Sequence, residues 1–246
     1  MRRSGSASRV SPPHVLLSAD ELGESPVFPT LAILGAAGLY ATLPDGFVAG
    51  SSGVFAVARW VVPALTVLLL VVLLVSVPHG RVARVLDLPA RHLRVGRRVA
   101  VLAVTALVSA ANAAAIVWLV HLLVSGAHTQ ARELLRAGIH MWCMNVLVFG
   151  LWFWELDCGG PLPRREAGLR GRDFLFPQQQ LPEAASEGWR PLFLDYLYVS
   201  FTNATAFSPT DAMPLSRWAK MLMLIESAAS LLLAIMVVAR AVNILR

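Results

Sequence analysis

Polar groups that could attract a cation are concentrated in the last third of this 246-residue chain, inside a segment that is otherwise apolar. The segment runs from Asp195 to Arg217 and reads DYLYVSFTNATAFSPTDAMPLSR. Its hydroxyl groups and its Asp211 carboxylate are oxygen ligands, and rings of oxygen attract cations where several chains surround one pathway. The candidate pore-lining residues are Thr205, Phe207, Ser208, Pro209, Thr210 and Asp211.

A proline break divides this segment. Pro209 has no N–H to donate, and it disfavours helical geometry at Ser208. The pattern therefore predicts a short helix, Leu192 to Phe207, that stops partway through the membrane and is followed by a full span, Trp218 to Leu245. Such a re-entrant hairpin requires its non-helical part to face protein or water. The alternative is that Trp189 to Phe207 crosses the membrane completely, which would leave its polar side chains in need of protein partners.

Residues Ser200 to Lys220 resemble the pore helix, filter and inner-helix start of two-span potassium-type channels. Thr205, Asp211 and Pro214 fall on matching positions of that family, whose filter core is T-V-G-Y-G-D. The resemblance implies a tetrameric homo-oligomer and a monovalent cation. The glycines of the filter are replaced by serine and threonine here, and proline stands between them, so a standard potassium filter is not expected.

A second resemblance extends over more of the last third. The run Asp173 to Pro177 (DFLFP), the tract DYLYVSFT and the closing AVNIL are similar to an uncharacterised bacterial inner-membrane family, known only as a domain of unknown function. This similarity implies a location in the bacterial inner membrane and carries no activity.

Three polar residues lie inside apolar segments: Glu226, Asn112 and Asn145. An ionisable side chain within a membrane span is costly and is often functional. Glu226 could face a conduction pathway or carry a proton. It could equally be paired with one of the two asparagines, or be protonated, in a purely structural role.

Composition indicates lipid as the solvent. Hydrophobic residues make up 57% of the chain and charged residues 15%, whereas soluble domains carry about 25% charged residues. We therefore expect an all-α multi-pass membrane protein with about five transmembrane helices plus the re-entrant half-helix. Four parts are predicted: a flexible tail (1–26), a four-helix membrane part (27–156), a polar connector (157–190) and the hairpin with the last span (191–246).

A basic loop, residues 78–98, sets the predicted orientation. Short loops rich in arginine stay in the cytoplasm, where they contact anionic lipid headgroups. Its arginines are Arg81, Arg84, Arg91, Arg94, Arg97 and Arg98. Because these arginines adjoin apolar segments, they indicate a lipid partner and not a nucleic acid. Five spans would also place the connector in the cytoplasm.

Two functions remain open from the sequence. The first is an oligomeric cation pore without the standard potassium filter, and the second is a non-conducting membrane scaffold or partner-binding protein that retains the pore-like fold. No enzyme motif is recognisable, and neither a cofactor nor a metal is expected, since Cys158 has no neighbouring Cys or His. The connector is expected to rest on the membrane through Phe174 to Phe176.

Overall fold

The computed structural model describes residues 27–47, 53–76, 90–126, 130–166, 171–205 and 212–244. The described chain is mostly helical, which confirms the predicted all-α class. In chain order the helices are α1 (Val27–Ala41), α2 (Gly53–Ser76), α3 (Ala90–Val124), α4 (Ala131–Leu156), α5 (Pro161–Glu166), α6 (Pro177–Gln180), α7 (Phe193–Thr205) and α8 (Arg217–Ile244). Two short strands, β1 (Phe174–Leu175) and β2 (Met213–Pro214), form an antiparallel pair.

Three helical stretches of the described chain are long and apolar enough to cross a membrane. They are Arg98–Val124 in α3, Arg132–Gly159 in α4 with its terminal turn, and Arg217–Ala239 in α8. Val27–Ala41 and Arg59–Leu68 are shorter apolar helical stretches. The described chain is therefore compatible with the predicted membrane protein.

Helix α4 is the centre of the bundle and packs against α1, α3, α7 and α8. Its neighbours are held by polar as well as apolar contacts. The Trp152 indole donates a hydrogen bond of 2.8 Å to the Ser109 hydroxyl of α3. At Gly150, a Cβ would lie 3.2 Å from Leu197 Cα, so glycine allows α7 to approach α4 closely.

Several helix ends meet at one end of the bundle, which we call the connector end. Arg98, more than two turns into α3, lies beside the end of α4, where it forms an ion pair of 3.9 Å with Glu155. The first residue of α7, Phe193, contacts Trp154 with ring centroids 6.0 Å apart. Trp218, at the start of α8, contacts Phe174 with centroids 6.1 Å apart. The residues between α4 and α7 therefore lie where α7 and α8 begin and where α3 passes Arg98.

The connector packs differently from what the sequence predicted. Phe174 and Phe176 are 0% and 4% exposed, and their rings pack against Tyr196. The predicted membrane contact through these phenylalanines is therefore wrong. Two apolar side chains in a polar segment can pack either on lipid or inside the protein, and the sequence does not distinguish these two cases. In the structure both rings belong to the hydrophobic core.

The basic segment is partly helical. Because α3 begins at Ala90, the arginines from Arg91 to Arg98 lie on the first turns of the helix that continues as a span, and only residues before Ala90 can form the predicted loop. Arg81 and Arg84 lie outside the described residues. No proline separates residues 90 and 124, so nothing in this stretch stops the helix at the last arginine.

Candidate functional site

Helix α7 is described from Phe193 to Thr205. This range lies within the predicted Leu192 to Phe207, and residues 206 and 207 lie outside the described part of the chain. At its start the Asp195 carboxylate accepts a 2.7 Å hydrogen bond from the Leu192 N–H. The 13 described residues extend over about 20 Å.

The candidate pore-lining residues fall mostly outside the described chain. Thr205 is the last residue described in α7, and its hydroxyl lies within hydrogen-bonding distance of the Phe201 and Thr202 carbonyls of its own helix. Phe207, Ser208, Pro209, Thr210 and Asp211 lie among residues that the structure does not describe.

Strand pairing joins the chain before α7 to the chain after it. Phe174 is opposite Pro214, and Leu175 is opposite Met213. The Leu215 N–H also donates to the Asp173 carbonyl at 2.8 Å. The chain that precedes α7 and the chain that follows it toward α8 are therefore in direct contact at the connector end.

Helices α7 and α8 run in the same direction. Near their starts, Tyr196 and Trp218 both contact the Phe174 ring, with centroids 6.1 Å away in each case. Further along, Asn203 of α7 hydrogen-bonds to Met223 and Glu226 of α8. Both helices thus begin at the connector end and enter the bundle side by side.

The first of two polar clusters lies at this end, and we call it the surface cluster: Asp157, Arg164, Asp173, Tyr196 and Trp218. The Asp157 carboxylate is fully buried. It accepts hydrogen bonds from the Tyr196 hydroxyl at 2.5 Å and from the Asp173 N–H at 2.9 Å. Arg164 lies 3.9 Å from the same carboxylate and 4.8 Å from the centre of the Tyr196 ring.

The surface cluster also holds α8. The Asp173 carboxylate accepts a 2.7 Å hydrogen bond from the Trp218 indole and a 3.0 Å bond from the Cys158 N–H. Cys158 itself has a positive φ of 53°, a conformation that is uncommon for a residue with a side chain. The connector, α7 and α8 are therefore joined by charges and donors that satisfy one another.

The second cluster lies deeper, and we call it the buried carboxyl cluster: Asn145, Ser200, Asn203, Glu226 and Ser230. The Glu226 side chain is 0% exposed. One of its oxygens, Oε2, accepts a 2.6 Å hydrogen bond from the Asn203 amide. The other, Oε1, is hydrogen-bonded to the Ser200 hydroxyl, which also lies 2.7 Å from the Val146 carbonyl.

The asparagine of α4 completes the cluster. The Asn145 amide donates to the Ser230 hydroxyl at 2.9 Å and to the main-chain oxygen of Glu226 at 3.3 Å. Ser227 donates to the Asn203 side chain at 3.0 Å. Three helices, α4, α7 and α8, thus contribute hydrogen-bonding groups around one carboxyl group.

Two of the three predicted intramembrane polar residues come together here. Asn145 and Glu226 are in contact, although Asn145 bonds to the main chain of Glu226 and not to its carboxyl group. Asn112 is buried in α3, and its Oδ1 has no hydrogen-bond partner within the described chain. The predicted pairing of the Glu226 side chain with Asn112 or Asn145 is therefore not what the structure has.

The partners that Glu226 does use, Ser200 and Asn203, were not predicted. Tyr196, Ser200 and Asn203 are spaced by four and three residues, which places them on one face of a helix. That polar stripe could have indicated the contact, because polar side chains on one face of a buried helix require polar partners on the neighbouring helix. Asp157 and Arg164 gave no comparable signal, since their contacts depend on how an irregular connector folds.

The chemistry available to these clusters follows from their groups. Within the described residues no group of three or more His, Cys, Asp or Glu side chains is arranged to hold a metal ion. The buried carboxyl cluster offers one carboxyl group surrounded by neutral donors and acceptors. Comparisons with known proteins assign no family: no protein-family model, no curated protein and no solved structure matches this chain.

Proposed function

We propose that this chain is a five-span membrane protein whose residues 192–214 form a re-entrant hairpin, and that the hairpin forms the constriction of a homo-oligomeric pathway for monovalent cations. In addition to the three long apolar helices, α1 and α2 supply the other two spans. Asp211 and the hydroxyl groups of Thr205, Ser208 and Thr210 supply the oxygen ligands. Four copies of Asp211 at one mouth would concentrate cations there.

The observation that carries this proposal is the pairing of β1 with β2. It brings Met213 and Pro214 back to the end of the bundle where α7 began. A helix that enters at one end and a chain that returns to the same end form a hairpin, whereas a sixth span would end on the opposite side.

Chain length supports the same conclusion. Met213 of β2 is eight residues beyond Thr205, the last residue given for α7, and eight fully extended residues reach at most about 29 Å. A return from the far side of a hydrocarbon core would need about 30 Å. A return from the level of Thr205, nine residues beyond Tyr196 and so about 14 Å deeper, is within reach.

The basic residues orient the proposed hairpin. Arg98 begins the span of α3 at the connector end, where it pairs with Glu155. If this arginine-rich end is cytoplasmic, as the distribution of charge favours, then the hairpin enters from the cytoplasm. This direction is opposite to that of the potassium-type channels that the sequence resembles.

Cysteine labelling tests the topology. In a chain whose two native cysteines are replaced by alanine, we expect Gln180→Cys and Leu215→Cys to react with a membrane-impermeant maleimide from the same side of the membrane. Both positions are exposed at the connector end. The matched control is Ser125→Cys, in the exposed turn that follows α3, which should react only from the other side. Labelling of positions 180 and 215 from opposite sides would rule out re-entry.

Flux measurements test conduction. We expect potassium or rubidium uptake by proteoliposomes, and at least a several-fold loss of uptake in Asp211→Ala. Glu133→Ala, an exposed acidic residue in the first turn of α4, is the control and should leave uptake unchanged. Native mass spectrometry from detergent should give a tetramer, and a stable monomer would contradict the shared pore.

One observation favours a second candidate, a non-conducting membrane scaffold. The polar face of α7 points into its own chain, since Ser200 and Asn203 both bond to Glu226. Side chains used in this way stabilise the fold and do not line a pathway between copies. Absence of uptake from a correctly folded oligomer would favour the scaffold.

A further inference from the structure

When Glu226 is ionised, two acceptors in the buried carboxyl cluster compete for the one proton of the Ser200 hydroxyl. The Ser200 hydroxyl has one proton. It lies within hydrogen-bonding distance of two acceptors, the Val146 carbonyl at 2.7 Å and Oε1 of Glu226. If Glu226 is ionised, Ser200 can donate fully to only one of them.

One additional proton resolves this conflict. A protonated Glu226 donates from Oε1 to the Ser200 oxygen, and Ser200 then donates its own proton to the Val146 carbonyl. The second oxygen, Oε2, still accepts from the Asn203 amide. Every polar atom of the carboxyl group then has a partner of the correct kind.

The surroundings of the carboxyl group supply no compensating charge. Helix α4 presents Asn145 and the Val146 carbonyl, α7 presents Ser200 and Asn203, and α8 itself adds Ser227 next to Glu226. None of these groups is charged, and no basic side chain of the described residues forms an ion pair with Glu226. An isolated carboxylate in such a place is strongly disfavoured.

The spacing also argues against a metal ion as the occupant. The Asn203 amide nitrogen lies 2.6 Å from Oε2, and the Ser200 hydroxyl is in direct hydrogen-bond contact with Oε1. A bound cation would have to be inserted between these atoms and would face the hydrogens of the amide. Only a proton fits between them as they stand.

We propose that Glu226, Ser200 and the Val146 carbonyl form a buried proton-binding site at the contact of α4, α7 and α8. The proton resides on the Glu226 carboxyl group and is donated toward Ser200. The site lies within one chain, so it goes beyond the proposed pore and does not depend on it. Asn203, which donates to the other carboxyl oxygen, is two residues before Thr205, the last residue described in α7.

Infrared difference spectroscopy of the whole protein in lipid tests the site. A protonated carboxyl group has a C=O band that is separate from the amide bands. We expect this band in the wild type at neutral pH, its loss on titration to alkaline pH, and its absence in Glu226→Gln. The matched control is Glu133→Gln, at an exposed position, which should retain the band.

A second variant distinguishes the hydrogen-bond chain from a merely buried acid. In Ser200→Ala the carboxyl group loses its acceptor, so the band should persist but shift to higher frequency. A neutral pH spectrum of the wild type without the band would overturn the proposal, and so would a band that survives in Glu226→Gln. Loss of the band on adding sodium chloride at constant pH would assign the site to a cation instead of a proton.

Discussion

The surface cluster and the buried carboxyl cluster both hold α7 against its neighbours, but they differ in charge. Asp157 in the surface cluster faces Arg164 at 3.9 Å and accepts several hydrogen bonds. Glu226 in the buried carboxyl cluster is equally buried, yet its partners are a hydroxyl group and an amide. The carboxylate of the first cluster faces an ionic partner, and the carboxyl group of the second is contacted by neutral groups.

The difference follows from the position of each cluster along α7. Tyr196 is in the first turn of α7, at the end where arginines and connector residues gather, so a buried carboxylate can be paired there. Ser200 and Asn203 are one and two turns further into the bundle, between helices that carry mainly apolar residues. An ion at that level would need a partner of opposite charge, and neutral hydrogen bonds avoid the cost.

The largest effect on stability is expected for a substitution of Asp157. Asp157→Asn removes the charge that faces Arg164 and places an amide among N–H donors. Breaking a buried ion pair by changing one partner costs about 3–5 kcal/mol. We expect a loss of this size in the free energy of unfolding, measured by titration with a denaturing detergent in mixed micelles.

The matched control for Asp157 is Glu183→Gln, which neutralises an exposed acidic residue of the same connector. It should change the free energy of unfolding by less than about 0.5 kcal/mol. Equal effects of the two substitutions would mean that the surface cluster does not hold the connector.

Tyr196→Phe tests one bond of the same cluster. It removes the hydroxyl that donates to Asp157 at 2.5 Å and keeps the ring that packs on Phe174. A hydrogen bond to a charged group contributes about 1.5–3 kcal/mol, and we expect a loss in that range. Tyr198→Phe, at an exposed position of the same helix, is the control and should be close to neutral.

Much of the helical layout could be predicted, because it depends on composition and periodicity. The end of α4 at Leu156 and a helix close to Phe193–Thr205 were both expected, since apolar runs and a proline break mark them. The start of α3 was not predicted. Arginines at helical spacing are compatible both with a segment on the membrane surface and with the first turns of a membrane-spanning helix.

The clusters could be predicted only in part. Glu226 and Asn145 stand out as polar residues in apolar helices, but which groups they contact depends on the rotation of each helix. The roles of Asp157 and Asp173 depend on pairing between β1 and β2, which are 38 residues apart in the chain. Two-residue strands that are separated by two helices leave no periodic signal in the sequence.

The contact between α4 and α7 lies between the two clusters along α7 and can be tested at Gly150. In Gly150→Ala the new Cβ would lie 3.2 Å from the Leu197 Cα, a main-chain atom that can move only with its helix. Overpacking costs about 1–3 kcal/mol, and the helix preference of alanine returns up to about 1 kcal/mol. We expect a net loss of about 1 kcal/mol.

The control for Gly150 is Gly96→Ala, where a Cβ would meet nothing within 4 Å. There the helix preference acts alone, so stability should rise by up to about 1 kcal/mol. A gain at Gly150 equal to that at Gly96 would show that α7 does not approach α4 as closely as the structure has it.

The smallest effect on stability is expected for Glu226→Gln, and this variant distinguishes the two clusters most directly. Glu226→Gln is the same kind of change as Asp157→Asn, since each replaces a fully buried carboxyl group with an amide of equal size. A glutamine can donate to Ser200 and accept from Asn203, as the protonated acid does, and leaves only its second amide hydrogen without a partner. We expect a loss of about 1 kcal/mol in the free energy of unfolding at neutral pH, which is the low end of the cost of one unpartnered buried N–H. A loss as large as that of Asp157→Asn would mean that Glu226 is ionised in the folded protein, and the distinction between an ionic and a neutral cluster would not hold.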